Sequence, residues 1–204
     1  MENPQPITIQ IHLANGQTRV FSQDIPEFVT TICNDLDGRV FTQPTLIIQA
    51  EDNVVAFCGP ALIGISILTD QIPNSFSLRE NRSKTVVSQI TQENFLLRRH
   101  QNRPKTEGIR SSILSEIVFV SGEHLYLEFS EIAIGGMGER AEMHHLFSNP
   151  SLACRKLGGG FSLWNTAQMV SWSHAPKLET PDNSWHAVEV LGTSNAPTKI
   201  LSVA

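Results

Sequence analysis

Cysteine is scarce in this 204-residue chain, which has three, Cys33, Cys58 and Cys154, all far apart in the sequence. An odd number of distant cysteines is unlike a disulfide framework, and no C-x-x-C pair indicates zinc binding or redox chemistry. Each cysteine has apolar neighbours, so we expect all three to be small side chains of a core. The sequence therefore predicts no cofactor.

Long apolar runs are also missing. The longest, ALIGISIL at residues 61–68, is far shorter than the roughly 18 residues of a membrane-spanning helix. The first ten residues, MENPQPITIQ, lack the basic start and the long apolar centre of a signal peptide. We therefore expect a cytoplasmic protein without a membrane partner.

The motifs of common enzyme classes are absent as well, since neither G-x-S-x-G nor H-E-x-x-H occurs. The segment GMGERA at 136–141 fits G-x-G-x-x-A, but no βαβ pattern surrounds it, so it predicts a loop. Glu142 and His145 lie three positions apart and are weak metal candidates, although two ligands do not make a site. An enzyme is the less favoured class. Its site would lie between the two halves of the chain, lined by Glu139, His144 or His145.

What the chain does have is the composition of a globular protein. Apolar residues make up 40 % and charged residues 17 %, which argues against general disorder. Its length is sufficient for one domain, or two small ones, with a buried core.

Its charge is distributed unevenly. The net charge is -5, yet residues 79–110 carry eight basic and three acidic side chains. That segment is therefore about +5 and the rest about -10. The favoured interpretation is a solvated linker, because aromatic residues for stacking on bases are missing except for Phe95. The alternative is contact with nucleic acid or an acidic partner, since clustered Lys and Arg neutralise phosphates. The candidate binding residues are Arg79, Arg82, Lys84, Arg98, Arg99, Arg103, Lys105 and Arg110.

Two segments resemble each other at an offset of 106 residues. RVFTQPTL at 39–46 matches HLFSNPSL at 145–152 in residue kind at seven consecutive positions. At the same offset the turn dipeptide Asn15–Gly16 falls on Ser121–Gly122. Turns require special backbone angles, so their coincidence indicates an internal duplication. The alternative is two unrelated β-rich halves that share common turn chemistry.

Each copy is predicted to contain a hairpin, a helix, a second hairpin and a further strand. In the first copy Asp24 and Glu27 form a predicted capping box, and Gly38 is expected to end the helix. In the second copy three glycines discourage a helix before about residue 138. The apolar positions that would face the core in the first copy are Ile25, Phe28, Val29, Ile32, Cys33 and Leu36.

Two further expectations concern the aromatic residues and the basic segment. Trp164 and Trp172 are predicted on neighbouring strands, where they would face each other, while Trp185 lies in the same carboxyl-terminal region. Within the basic segment we expect a strand at 85–90 and a helix at 91–100.

The predicted fold is α+β and β-rich, with two tandem, divergent hairpin–helix–hairpin units joined by a basic linker. The expected boundaries are 1–78 for the first unit, 79–110 for the linker and 111–204 for the second unit. The favoured function is a non-catalytic binding or assembly module that acts through a protein partner or self-association, since units of this kind leave exposed edge strands. A nucleic-acid-associated regulator and a small hydrolase-like enzyme are the alternatives.

Overall fold

A computed structural model describes residues 5–50, 53–70, 86–100, 110–133 and 148–175 of the chain. These residues form a mixed α+β fold that is mostly sheet, with two α-helices. The strands are β1 Ile7–Leu13, β2 Thr18–Gln23, β3 Leu46–Gln49, β4 Val54–Phe57, β5 Leu62–Leu68, β6 Val86–Gln89, β7 Arg110–Phe119, β8 His124–Ala133, β9 Ser151–Arg155, β10 Phe161–Asn165 and β11 Met169–Ala175. The helices are α1 Pro26–Asp35 and α2 Gln92–Arg98, and short 3-10 helices cover Gly38–Phe41, Gly59–Ala61 and Thr166–Gln168.

Nine of these strands form one sheet in the order β11-β7-β8-β6-β9-β10-β5-β1-β2. β3 and β4 form a separate two-stranded sheet. The described pairs are antiparallel except for β6 with β9, which is parallel and short. Within the described ranges, β2 and β11 are therefore the two edges of the large sheet, and β3 pairs with β4 alone.

The two predicted glycine turns are confirmed. Gly16 and Gly122 have φ angles of 80° and 81°, a region that glycine adopts without steric cost. The amide of Gly16 donates to the Leu13 carbonyl, and the amide of Gly122 donates to that of Phe119. Each glycine thus closes the tight turn of a β-hairpin, β1–β2 or β7–β8.

Helix α1 forms where the apolar pattern predicts it, but its ends differ from the prediction. It begins at Pro26, whose ring suits the first helical position, and its cap residue is Ile25 rather than Asp24. The predicted capping box is therefore wrong. The helix ends at Asp35, and Gly38 instead opens a 3-10 helix that the Asp37 side chain caps through the Arg39 amide.

The core has two parts, and each part contains side chains from both halves of the chain. The first lies between α1, the β3–β4 sheet and the large sheet, and includes Phe161 and Leu163 of β10. The second is built mainly by β6 to β11 and includes Ile63 of β5. This sharing follows from the pairing of β10 with β5.

Several hydrogen bonds recur at equivalent positions of the two halves. The Gly59 amide donates to the Pro44 carbonyl at 3.4 Å, and the Thr166 amide donates to the Pro150 carbonyl at 3.3 Å. β1 and β5 place Ile9 opposite Ile67. Likewise, β7 and β11 place Ser115 opposite His174. Ser115 is 106 positions after Ile9, and His174 is 107 positions after Ile67.

The halves also differ. The turn of the second hairpin is closed by a hydrogen bond from the Ala50 amide to the Asn53 carbonyl in the first half, and from the Lys156 amide to the Gly160 carbonyl in the second. The second turn is therefore one residue longer. The β9–β10 hairpin belongs to the large sheet, whereas β3–β4 does not. At the offset of 106 residues the equivalent of α1 is 132–141, of which 132 and 133 end β8 and 134–141 lie outside the described ranges.

The predicted face-to-face pair of Trp164 and Trp172 is wrong. β10 pairs with β5 and β9, whereas β11 pairs with β7, so four strands of the sheet lie between those that carry the two tryptophans. Local turn patterns do not reveal this long-range order. Trp164 instead packs between His12 and Phe119, with ring centroids 5.0 and 5.2 Å away.

The strand and the helix expected inside the basic segment are confirmed as β6 and α2. β6 lies within the large sheet, between β8 and β9. The boundaries at 78/79 and 110/111 stay predictions, because 71–85 and 101–109 lie outside the described residues. No helix in the described part of the chain is long and apolar enough to cross a membrane.

Candidate binding cleft

The first half of the chain contains a cleft of about 1100 Å³ between α1, the β1–β2 hairpin and the β3–β4 sheet. Such a volume is slightly above the usual range for ligand sites, about 300–1,000 Å³. Fourteen of its nineteen lining residues are apolar. The lining consists of Ile9, Ile11, Val20, Phe21, Ser22, Gln23, Asp24, Ile25, Phe28, Thr31, Ile32, Leu36, Leu46, Ile47, Ile48, Gln49, Ala50, Ile65 and Ile67.

The spacing of the lining residues shows which surfaces form the walls. β1 contributes Ile9 and Ile11, and β5 contributes Ile65 and Ile67. Alternate residues of a strand share one face, so these two strands form the floor with their faces. Helix α1 contributes one side through positions 28, 31 and 32, and Leu36 follows directly after the helix.

β2 and β3 border the cleft in a different way. Residues 20–23 of β2 and residues 46–49 of β3 all line it, without alternation. Consecutive residues point to opposite faces of a strand, so a space that touches all of them lies beside the strand edge. The cleft is therefore flanked by the outer edges of β2 and β3.

Hydrogen-bond registers identify the backbone groups on these edges. The Leu13 amide donates to the Gln17 carbonyl, and bonded and non-bonded pairs alternate along an antiparallel ladder. In this register Val20 and Ser22 direct their backbone N–H and C=O groups away from β1. The Ala50 amide donates to the Asn53 carbonyl, so Ile47 and Gln49 likewise direct theirs away from β4.

The cleft is open to solvent at its rim. Four large apolar lining residues are strongly exposed: Val20 by 59 %, Ile25 by 46 %, Phe28 by 54 % and Ile47 by 64 %. Ile25 and Phe28 are two of the positions expected in the core. They belong to the predicted apolar stripe of α1, yet they border the open cleft, while Val29 and Cys33 of the same helix are buried.

Acidic residues outnumber basic ones around the cleft, where Arg19 of β2 is opposite Ile11 of the floor. Asp24 is the charged residue among those that line it, and residues 20–36 contain three acidic side chains and no Lys or Arg. These acidic residues are Asp24, Glu27 and Asp35, and all three are exposed. The Gln23 side chain is fixed by the amides of Asp24 and Ile25, which donate to its Oε1.

A buried polar cluster lies on the opposite face of the sheet. His12 Nε2 is 3.0 Å from Ser66 Oγ, and the Ser162 hydroxyl donates to Ser66 Oγ at 2.8 Å. Because Ser66 accepts from Ser162, its own proton is available to Nε2. Nδ1 of His12 is then the protonated nitrogen and lies 3.3 Å from Thr18 Oγ1.

This cluster resembles a serine, histidine and carboxylate set only in composition. Glu123 Oε1 is 4.0 Å from His12 Nδ1, and Ser66 is fully buried with 0 % exposure. A nucleophile must be within reach of its substrate. Burial, with a smaller effect of Lys156, lowers the pKa of His12 to about 4. The cluster is therefore a neutral hydrogen-bond network inside the sheet.

The candidate basic residues separate into three groups. The Arg98 guanidinium binds both carboxylate oxygens of Glu128, at 2.9 and 2.6 Å, and links α2 to β8. The hydrogen bond from Arg98 lowers the pKa of Glu128. Arg99 Nε donates to His100 Nε2 on the surface. The third group lies outside the described residues and consists of Arg79, Arg82, Lys84, Arg103 and Lys105. Arg110 belongs to it as well, because only its backbone is described.

The weak metal candidates Glu142 and His145, and the enzyme candidates Glu139 and His144, also lie outside the described residues. Among the residues that are described, no three His, Cys, Asp or Glu side chains come together as a metal site. These assignments therefore stay predictions.

Sequence reasoning missed the cleft. The feature that could have indicated it is the wide apolar stripe predicted for α1, in which Ile25 and Phe28 lie beside acidic residues. A wide stripe is also typical of a core helix, so it did not distinguish the two cases. No protein-family model, no curated protein and no solved structure matches this chain.

Proposed function

We propose that this protein is a non-catalytic binding module that takes an apolar segment of a protein partner into the cleft between α1, β2 and β3. The observation that carries the proposal is the open cleft of about 1100 Å³ with four exposed large apolar residues at its rim. Contiguous exposed apolar surface of this kind marks interaction sites in soluble proteins.

Two properties of the cleft support a protein partner. The floor is uniformly apolar, which suits side chains such as those of Val, Ile or Leu. The rim carries exposed backbone groups of β2 and β3, which a peptide is able to satisfy and a plain hydrocarbon is not. A cytoplasmic location and a non-catalytic role are parts of the same proposal.

The proposal is tested with a displayed library of random nine-residue peptides selected on the wild-type protein. We expect peptides that bind wild type and lose at least ten-fold in affinity on Phe28→Asp. Aspartate suits the first turn of a helix, so this variant removes apolar surface at the rim while α1 keeps its fold.

The matched control is Val170→Asp, which introduces the same charge at an exposed valine on β11, away from the cleft. The selected peptides should bind this control as tightly as they bind wild type. A selection that yields no peptide able to distinguish Phe28→Asp from Val170→Asp would refute the proposed function.

We also propose that the chain arose by tandem duplication of a hairpin–helix–hairpin unit. The support is the recurrence of hydrogen bonds at Pro44 and Pro150 and the equivalent registers of β1–β5 and β7–β11. On this proposal the cleft is specific to the first copy, because the second hairpin of the other copy, β9–β10, lies within the large sheet.

The nucleic-acid alternative keeps a distinct test. Arg98 is engaged by Glu128, so Arg99 and Arg103 are the better probes of the basic segment. Binding to nucleic acid predicts retention of wild type on immobilised duplex DNA or single-stranded RNA at low salt, weakened by alanine at both positions. No retention of wild type under those conditions would eliminate this alternative.

A further inference from the structure

We propose that the partner segment binds as an extended β-strand that pairs with the outer edges of β2 and β3 and joins the two sheets across the cleft. This inference rests on the proposed function, since it specifies how the same cleft is occupied. It differs in requiring backbone hydrogen bonds, whereas apolar contact alone would satisfy the proposed function.

The strand edges provide the first argument. Val20 and Ser22 on one side, and Ile47 and Gln49 on the other, direct backbone groups away from their own partners and toward the space beside each strand. Open edges of this kind are templates for another strand. A segment between them would satisfy both edges at once.

The size of the cleft provides the second argument. Strands in a sheet lie about 4.8 Å apart, rise about 3.3 Å per residue and pack at about 10 Å from the next layer, so each residue occupies about 160 Å³. The cleft volume of about 1100 Å³ therefore corresponds to roughly seven residues of strand. That length is similar to the six residues of β2.

The floor and the charge define the chemistry of the strand. Side chains on the same face as Phe21 of β2 would border the apolar cleft, so these alternate positions should be Val, Ile or Leu. Residues 19–36 contain three acidic side chains, at 24, 27 and 35, against one basic side chain, Arg19, and this excess complements a positive charge. We therefore expect Lys or Arg at the ends of the strand.

The test uses the selected nine-residue peptides, labelled with fluorescein, and the variants Ser22→Pro and Ser22→Ala. The Ser22 amide points away from β1, so proline removes an outward donor and no ladder bond, as is tolerated on edge strands. We expect binding to Ser22→Pro to be at least ten-fold weaker than binding to Ser22→Ala, measured by fluorescence anisotropy. Far-UV circular dichroism should give both variants the wild-type spectrum.

A second measurement on the wild-type protein covers the case in which Ser22→Pro disturbs the fold. Methylation of a single interior amide of the peptide should weaken binding at least ten-fold at odd and even positions alike, because a strand between two edges donates to both sides. Apolar residues in the selected peptides should alternate with period two.

The outcomes separate this inference from the proposed function. Peptides that lose binding on Phe28→Asp but are insensitive to their own amide methylation would refute strand pairing and leave the apolar site intact. Apolar residues spaced three and four apart would indicate a bound helix and also overturn it. A concentration-dependent dimer of the protein alone, abolished by Phe28→Asp, would show that a second copy fills the cleft, contrary to the proposal.

Discussion

At the scale of single residues, His12 shows how a buried histidine is kept uncharged. Its ring is in contact with Trp164, its Nε2 is held by Ser66, and burial lowers its pKa to about 4. A protonated imidazole has no acceptor nitrogen, so protonation would remove the acceptor of the Ser66 proton and place a charge in a buried site. The folded state therefore favours neutral His12.

Acidification should therefore lower the free energy of unfolding, because His12 takes up a proton more readily in the unfolded chain. The pKa of His12 is about 4 in the folded state and about 6.5 when unfolded. The unfolded chain therefore binds the proton first, and stability present above pH 6.5 is lost as the pH falls toward 4. The difference corresponds to about 3 kcal/mol. Urea unfolding at pH 7, 6, 5 and 4 should show this slope in wild type and a flatter one in His12→Gln.

The control for this measurement is His100→Gln, an exposed residue outside the cluster, which should keep the wild-type slope. Equal slopes for wild type and His12→Gln would show that His12 is not buried as a neutral ring. His12 lies in a strand predicted from the sequence, but its burial was not predicted. The residues that enclose it, Ser66 and Trp164, are 54 and 152 positions away.

At the scale of elements, local signals were sufficient where an element is defined by its own residues. Glycine turns predicted the β1–β2 and β7–β8 hairpins, and apolar periodicity predicted α1. The prediction failed where contacts with residues distant in the sequence determine whether a side chain is buried. Ile25 and Phe28 satisfy the pattern of a core helix but border an open cleft, because no strand covers that part of α1 within the described residues.

Helix α2 is attached to the large sheet by two contacts. Phe95 is buried and its ring centroid lies 5.2 Å from that of Tyr126 on β8. Arg98 binds Glu128 on the same strand with two hydrogen bonds. A bidentate, partly buried pair of this kind is stronger than an exposed one. The ion pair therefore fixes the end of α2 against β8.

A double-mutant cycle should measure this attachment. Arg98→Ala, Glu128→Ala and the double variant, compared by urea unfolding, should give a coupling free energy of about 1–2 kcal/mol. The Arg39–Asp37 pair is the control, because Arg39 is mostly exposed and its coupling should be no more than about 0.5 kcal/mol. Equal couplings for the two pairs would contradict a structural role for Arg98.

At the scale of the whole molecule, the two halves are interleaved. β10 of the second half pairs with β5 of the first, and each half contributes side chains to the core of the other. The sequence indicated two tandem units from their internal similarity. It did not reveal the pairing of β10 with β5, since that depends on which strand edges meet.

Interleaving of this kind predicts a single cooperative unfolding transition. Ile67 lies on β5, is fully buried and belongs to the core in the first half, whereas the three tryptophans all lie at positions 164 and beyond. Ile67→Ala should cost about 2–5 kcal/mol. It should lower the midpoint seen by tryptophan fluorescence as much as that seen by far-UV circular dichroism.

The control is Leu97→Ala, an exposed position on α2, where a change of no more than about 0.5 kcal/mol is expected. Two separate units would respond differently: circular dichroism would show an early phase in Ile67→Ala, and the tryptophan transition would stay at the wild-type midpoint. That outcome would mean that the β10–β5 pairing does not couple the halves. Coincident midpoints are expected because β10 carries Trp164 as well as Phe161 and Leu163 of the first core.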